Sequence, residues 1–253
     1  MRLMTSRGFH ALGLAAVMTT AMAGGARGQA AAPAAPPPAK TSYTGDLGYV
    51  SATGNTELST LNADEKIIRT DGRWIFTELA AYVQGETNHQ QSANLTTGAL
   101  RVDYAWAPRL GGFVGVTYTR NPFAGYNRRF DEIAGARWRV LDDPDDSLSF
   151  DGGGVLTQQT DVDSMHETFP AARVAGNYKH AFTKAAYFQQ LVEYIPDLKM
   201  GGAYRVNTAS AVVAPISVHM GIKVSYVVNF NNRPPPTFGT TDRTLTTGVQ
   251  ITW

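Results

Sequence analysis

The chain has 253 residues, 43% of them hydrophobic and 17% charged, with 22 Lys and Arg against 21 Asp and Glu. The charged fraction falls below the roughly 25% of ordinary soluble domains, and the balance excludes a nucleic-acid binder that works by neutralising phosphates. The absence of cysteine excludes a disulfide scaffold, a thiol nucleophile and a thiolate zinc site.

Residues 1–30 read as a secretory signal peptide. Arg2 and Arg7 supply the positive start, Ala11 to Met18 the apolar run, and Ala21 with Ala23, or Gly28 with Ala30, two cleavage sites. This stretch holds Arg2, Arg7 and Arg27 and no acid, so its removal leaves 22 − 3 = 19 basic against 21 acidic residues, near −2. Residues 31–40, dense in Ala and Pro, read as an extended tether. One folded domain is expected over 41–253.

No later stretch reaches the roughly 18 apolar residues of a membrane helix. Period-two alternation recurs instead and yields twelve strand candidates: 42–53, 57–70, 73–86, 94–107, 111–121, 128–141, 147–160, 169–182, 185–196, 203–214, 216–230 and 240–253. Tight turns such as Asp71-Gly72 and Asp142-Asp143-Pro144-Asp145 alternate with connections expected to be longer, at 87–93, 121–128, 160–168, 196–202 and 231–240. Long strands, an even strand number and alternating turn lengths predict an all-β, antiparallel transmembrane β-barrel rather than a soluble sandwich.

The faces carry the functional expectations. Aromatics such as Tyr43, Tyr49, Tyr104, Trp106, Trp138 and Tyr194 sit near the ends of apolar faces, as lipid–water girdles require. The opposite faces assign to the lumen the basic residues Lys66, Arg101, Arg137, Arg139, Arg173, Lys179, Arg205 and Lys223. The acids assigned there are Asp46, Asp64, Glu78, Asp103, Asp151 and Glu193. Arg137 and Arg139 are expected to pair with acids on neighbouring strands, leaving a slight preference for anions in a narrow pore. In the last strand Leu245, Val249, Ile251 and Trp253 share the outward face, the pattern of an assembly signal.

That ending resembles the terminal signal of bacterial outer-membrane barrels, with Trp253 where Phe is commoner. More specifically, the chain resembles the salt-induced outer-membrane protein family catalogued as domain of unknown function 481. The matching pieces are Gly54-Asn55-Thr56, Asn127-Arg128-Arg129-Phe130-Asp131 and Asn231-Asn232-Arg233-Pro234-Pro235 with Thr241-Asp242 and Trp253. The second Arg in Arg128-Arg129 departs from the family's Arg-Phe-Asp. The resemblance implies a Gram-negative outer-membrane location and a link to salt or osmotic conditions, and supplies no reaction. The partners it implies are outer-membrane lipid, the barrel-assembly machinery and periplasmic chaperones.

Candidate chemistry is sparse. Asp163, Ser164 and His166 are the residue types of a catalytic triad, in an expected external loop. The acidic turn 142–146 lacks the spacing of a dedicated calcium loop. Gly152-Gly153-Gly154 lacks the Lys-Ser/Thr of a phosphate loop and reads as room for lumen side chains. His219 is expected on an inward face and His180 at a strand end, neither as a general base. No cofactor, metal site or catalytic residue is therefore expected. The leading expectation is a narrow channel or envelope-integrity protein, and the alternative is an outer-membrane hydrolase acting on lipid or peptide at the external rim.

Overall fold

The computed structural model describes residues 39–52, 58–183 and 185–253. The expected signal peptide and nearly all of the expected tether lie outside them. Twelve strands follow in order: β1 (Lys40–Ala52), β2 (Leu58–Asp71), β3 (Trp74–Thr87), β4 (Gln90–Ala105), β5 (Leu110–Asn121) and β6 (Tyr126–Asp142). The second half is β7 (Asp146–Asp161), β8 (His166–Ala181), β9 (Tyr187–Pro196), β10 (Tyr204–Pro215), β11 (Met220–Asn231) and β12 (Thr241–Thr252). Each pairs antiparallel with its sequence neighbours, and β1 pairs with β12 from Thr44↔Thr252 to Leu47↔Val249, closing the barrel. Reciprocal backbone hydrogen bonds of 2.9 Å between Tyr43 and Trp253 finish the seam.

The alternation of the sequence becomes an inside-out distribution of polarity. Leu100, Val114, Trp138, Val174, Val224 and Leu245 are exposed on the outer face, whereas Asp46, Asp103 and Asp151 are buried inside. A soluble barrel or sandwich would reverse this, so the outer face is built for lipid. Strands of 10 to 17 residues at about 3.3 Å per residue are long enough to cross at the usual tilt. Aromatic contacts mark both ends of the apolar belt. Trp74 with Tyr104 (4.7 Å) and Trp253 stacked on His219 (4.5 Å) lie at the end that carries the C-terminus, here called lower. Tyr118 with Phe130 (5.0 Å) and Tyr194 with Tyr204 (5.5 Å) lie at the upper end.

Three expectations change. The connection expected over 87–93 is a two-residue turn, Asn88-His89, with both φ angles positive (52° and 62°). Such angles match the twist of paired strands and let β4 begin at Gln90. His219 lies in the turn between β10 and β11, its Nδ1 3.0 Å from the Thr252 carbonyl oxygen, and not on an inward strand face. Glu78 faces outward and not into the lumen: it pairs with Ile67 and Leu100 and alternates with exposed Trp74 and Phe76, while Thr77 and Leu79 turn inward.

Candidate functional site

The lumen has two unlike walls. On one, β4 and β6 to β10 carry charges arranged in layers. Asp151, its side chain 1% exposed, accepts from Arg101 (2.7 Å) and from Arg137 (2.8 and 3.2 Å), and Arg173 approaches to 3.7 Å. Arg101 also grips Asp103 with two parallel bonds of 2.8 and 2.7 Å. A buried carboxylate survives in low dielectric only with such compensation. Arg173 Nε continues the chain to Glu193, which accepts from Asn207 (2.8 Å).

Small residues make this density possible. Gly135 and Gly153 face each other, and a Cβ on either would lie 2.3 Å from a carbonyl oxygen of the opposing strand. The gap admits the Phe113 ring, on which the Arg101 guanidinium stacks at 3.6 Å. Of the three consecutive glycines only Gly153 lines the lumen; Gly152 and Gly154 pair with outward residues and have open space beside them.

One step higher, Ile133, Val155, Ala171 and Ile195 form an apolar knot. Above it Asp131 accepts from both outer nitrogens of Arg205 (3.2 Å each) and from Thr157 Oγ1 (2.5 Å). Arg129 donates to Gln159 (2.7 Å), which passes on to Asp161 (2.5 Å), and its guanidinium lies 3.8 Å over the Tyr126 ring. A second network closes the lower seam. Lys223 Nζ bonds Asp46 (2.5 Å) and lies 3.6 Å from Asp64; Gln250 donates to Asp46 (3.0 Å) and accepts from Tyr187 (2.7 Å).

The other wall carries few charges. Ile68, Thr70, Ile75, Thr77, Leu79, Leu95, Thr97, Thr117 and Thr119 face a cavity of about 730 Å³ along β2, β3 and the upper parts of β4 and β5. It is lined from Thr70 and Ile75, beside the lower β2–β3 turn, to Asn121, Pro234 and Thr240 at the upper end. The upper mouth is crossed by residues 232–240. Pro235 and Phe238 reach Gly125 between β5 and β6, on the far side of the ring from β11 and β12. Gly125 has φ +92°, and a Cβ there would come within 2.8 Å of Pro235 Cγ. Asn232 holds the root of this strap, donating to the Gly202 carbonyl oxygen (2.6 Å) and accepting from Tyr204 N–H (2.7 Å).

The residues assigned to the lumen divide accordingly. Arg101, Asp103, Arg137, Asp151, Arg173, Glu193 and Arg205 share the charged wall, and Lys223 the seam network. Arg139 reaches only Asp142 of its own strand (3.4 Å), at the lower mouth. Lys179 stacks over Tyr187 (4.2 Å). Lys66 faces the cavity and forms no hydrogen bond or ion pair among the described residues. Leu245, Val249, Ile251 and Trp253 are exposed on the outer face. Sequence reasoning omitted Arg129, Asp131, Tyr187 and Gln250. Arg129 and Asp131 share the parity of Arg137, a signal that was present; the partners of Tyr187 and Gln250 had none.

The three loop residues are not assembled into a triad. His166 Nδ1 contacts Thr160 Oγ1 (2.8 Å), Asp163 accepts from Met165 N–H (3.1 Å), and Ser164 N–H donates to the Asp161 carbonyl oxygen (3.0 Å). Among the described residues no group of three acids or histidines is placed to hold a metal ion.

The family description "Protein of unknown function, DUF481" matches residues 45–253, almost the whole barrel. The chain belongs to this family. Within the matched span, Arg129, Phe130 and Asp131 contribute a lumen cation, a girdle ring and a lumen acid, and Asn231 to Pro235 form the strap's root. The uncharacterized protein YdiY of Escherichia coli strain K12 is 28% identical over 209 residues, covering 79% of each chain. Among solved structures, the NanC porin covers 83% of this chain and 97% of its own at TM-score 0.47 and 9% identity. The KdgM porin covers 84% and 98% at TM-score 0.43 and 13% identity.

Proposed function

We propose that the protein is a narrow channel for small solutes in the outer membrane of a Gram-negative bacterium, reached by way of the signal peptide over 1–30. The observation that carries this reading is a cavity of about 730 Å³ whose lining runs from Thr70 and Ile75 near the lower β2–β3 turn to Asn121, Pro234 and Thr240 at the upper end. Its charged lining is weighted to Lys66, Arg101, Arg129, Arg137, Arg173 and Arg205 against Asp131, Glu193 and Asp242, which gives the pore a slight preference for anions.

A link to salt fits this arrangement. Buried pairs such as Arg101–Asp151 are screened little, whereas water-facing Lys66 is screened over about 10 Å at 0.1 M salt, so ionic strength acts on the path and not on the scaffold. Purified protein in planar bilayers tests the channel. Discrete conductance steps with mild anion selectivity are expected; a silent bilayer with correctly folded protein would leave an envelope-integrity role.

Assembly belongs to the same proposal. Leu245, Val249, Ile251 and Trp253 present one apolar outer stripe to the barrel-assembly machinery and its chaperones. Deleting Trp253, or Trp253→Asp, should sharply lower the amount of heat-modifiable barrel in outer-membrane fractions, and unchanged amounts would refute that role.

A further inference from the structure

Lys66 is the one cation of the cavity lining that neither an ion pair nor a hydrogen bond occupies among the described residues. Arg101 and Arg137 are held by Asp103 and Asp151, Arg173 by Glu193, Arg205 by Asp131, and Arg129 by Gln159. Asp64, the next inward residue on β2, is turned towards Lys223. Arg137, Lys179, Lys223 and Arg101 all bring charge of its own sign towards Lys66. Arg101, Arg137 and Lys223 are each offset by acids of their own, whereas Lys66 is not, so an anion is the partner its charge lacks.

The surroundings of Lys66 are not those of a site for a hydrated inorganic ion. Leu79 stands directly opposite it on β3, and Ile68 is the next inward residue towards the lower end of β2. Ile75 and Leu95 extend the apolar surface on the adjoining strands. An ammonium group beside aliphatic side chains interleaved with threonines matches a solute that is charged at one end and apolar at the other. Binding sites combine broad apolar contact with a few polar groups in this way.

We infer that the cavity takes amphiphilic monoanions, small carboxylates whose charged end meets Lys66 while the apolar body rests on Ile68, Leu79 and their neighbours. This rests on the reading of the lumen as the solute path. A cation of the same shape is repelled, and a carboxylate without an apolar body loses the wall.

Calorimetry on the full chain in detergent at low salt, with benzoate, acetate and benzylammonium as probes, tests this without requiring conductance. Benzoate should bind about tenfold more tightly than acetate, the factor expected from burying a few apolar carbons, and benzylammonium should give no binding heat. Lys66→Gln should abolish benzoate binding while heat-modifiable migration on gels stays unchanged, and Leu79→Ser should reduce it to the level of acetate. Equal affinity for acetate and benzoate, or unchanged binding in Lys66→Gln, would overturn the inference. Benzoate binding by a barrel that is silent in bilayers would uphold this site and refute the channel; conductance without benzoate binding would do the reverse.

Discussion

The two walls of the lumen solve different problems with the same strand geometry. On the β6 to β10 side, the inward charged and amide groups are committed to one another among small and apolar residues, with Asp151 shared by Arg101, Arg137 and Arg173. On the β2 to β5 side, the inward positions of the upper lumen are mostly Thr, Ile and Leu, which carry no charge and line the cavity. Ion-paired charge fills one half of the barrel, and the other half holds the cavity along which the proposed solute path runs.

The largest expected effect comes from breaking the committed side. Asp151→Ala leaves three guanidinium groups facing one another in a buried layer, and should destabilise the folded barrel by about 3–5 kcal/mol in urea titrations followed by gel mobility. Thr117→Ala on the open wall should cost less than about 1 kcal/mol. If the two variants unfolded together, the distinction between the walls would fail.

A second test addresses the faces themselves. Val224 is exposed on the outer belt and Lys223 lies inside on Asp46, one residue apart. Val224→Arg should destabilise by about 2–4 kcal/mol near the bilayer midplane. Lys223→Gln should cost less in the same titration and shift the reversal potential, whereas Val224→Arg should not shift it.

The smallest effect is a gain. Glu78 lies on the outer face next to Ile67, Leu100 and Phe76, so Glu78→Leu should stabilise the barrel in bilayers by roughly 1–2 kcal/mol and leave ion selectivity unchanged. A changed reversal potential in that variant would put Glu78 back in the lumen.

Glu78 also shows where the sequence stops being legible. In β11 the rule that charged faces turn inward works, because Lys223, Ser225 and Asn229 oppose Val224, Tyr226 and Val228. In β3 both faces are apolar, Trp74, Phe76 and Tyr82 on one and Ile75, Leu79 and Val83 on the other. A lone glutamate then reads as the mark of the lumen, although the apolar lumen wall is what makes the two faces look alike. Strand number, direction and closure were readable from alternation and turn chemistry. The partner of each charge was not. Arg137 does pair with Asp151 on the neighbouring strand, but Arg139 finds Asp142 within its own, and Asp131 meets Arg205 only because the lumen brings β6 and β10 together. Loop reach was equally hidden: the span 231–240 was legible as a long connection, while its crossing to Gly125 depends on the closed ring.

On the proposed function, water and solute pass along the β2 to β5 wall and not through the charged one, and a chain without cysteine allows this to be tested at single positions. Thr117 lines the cavity, whereas Ala175, 1% exposed, is packed between Asp151 and Glu193. Charged thiol reagents should cut the bilayer conductance of Thr117→Cys and leave that of Ala175→Cys unchanged. Block of Ala175→Cys with Thr117→Cys untouched would contradict the account.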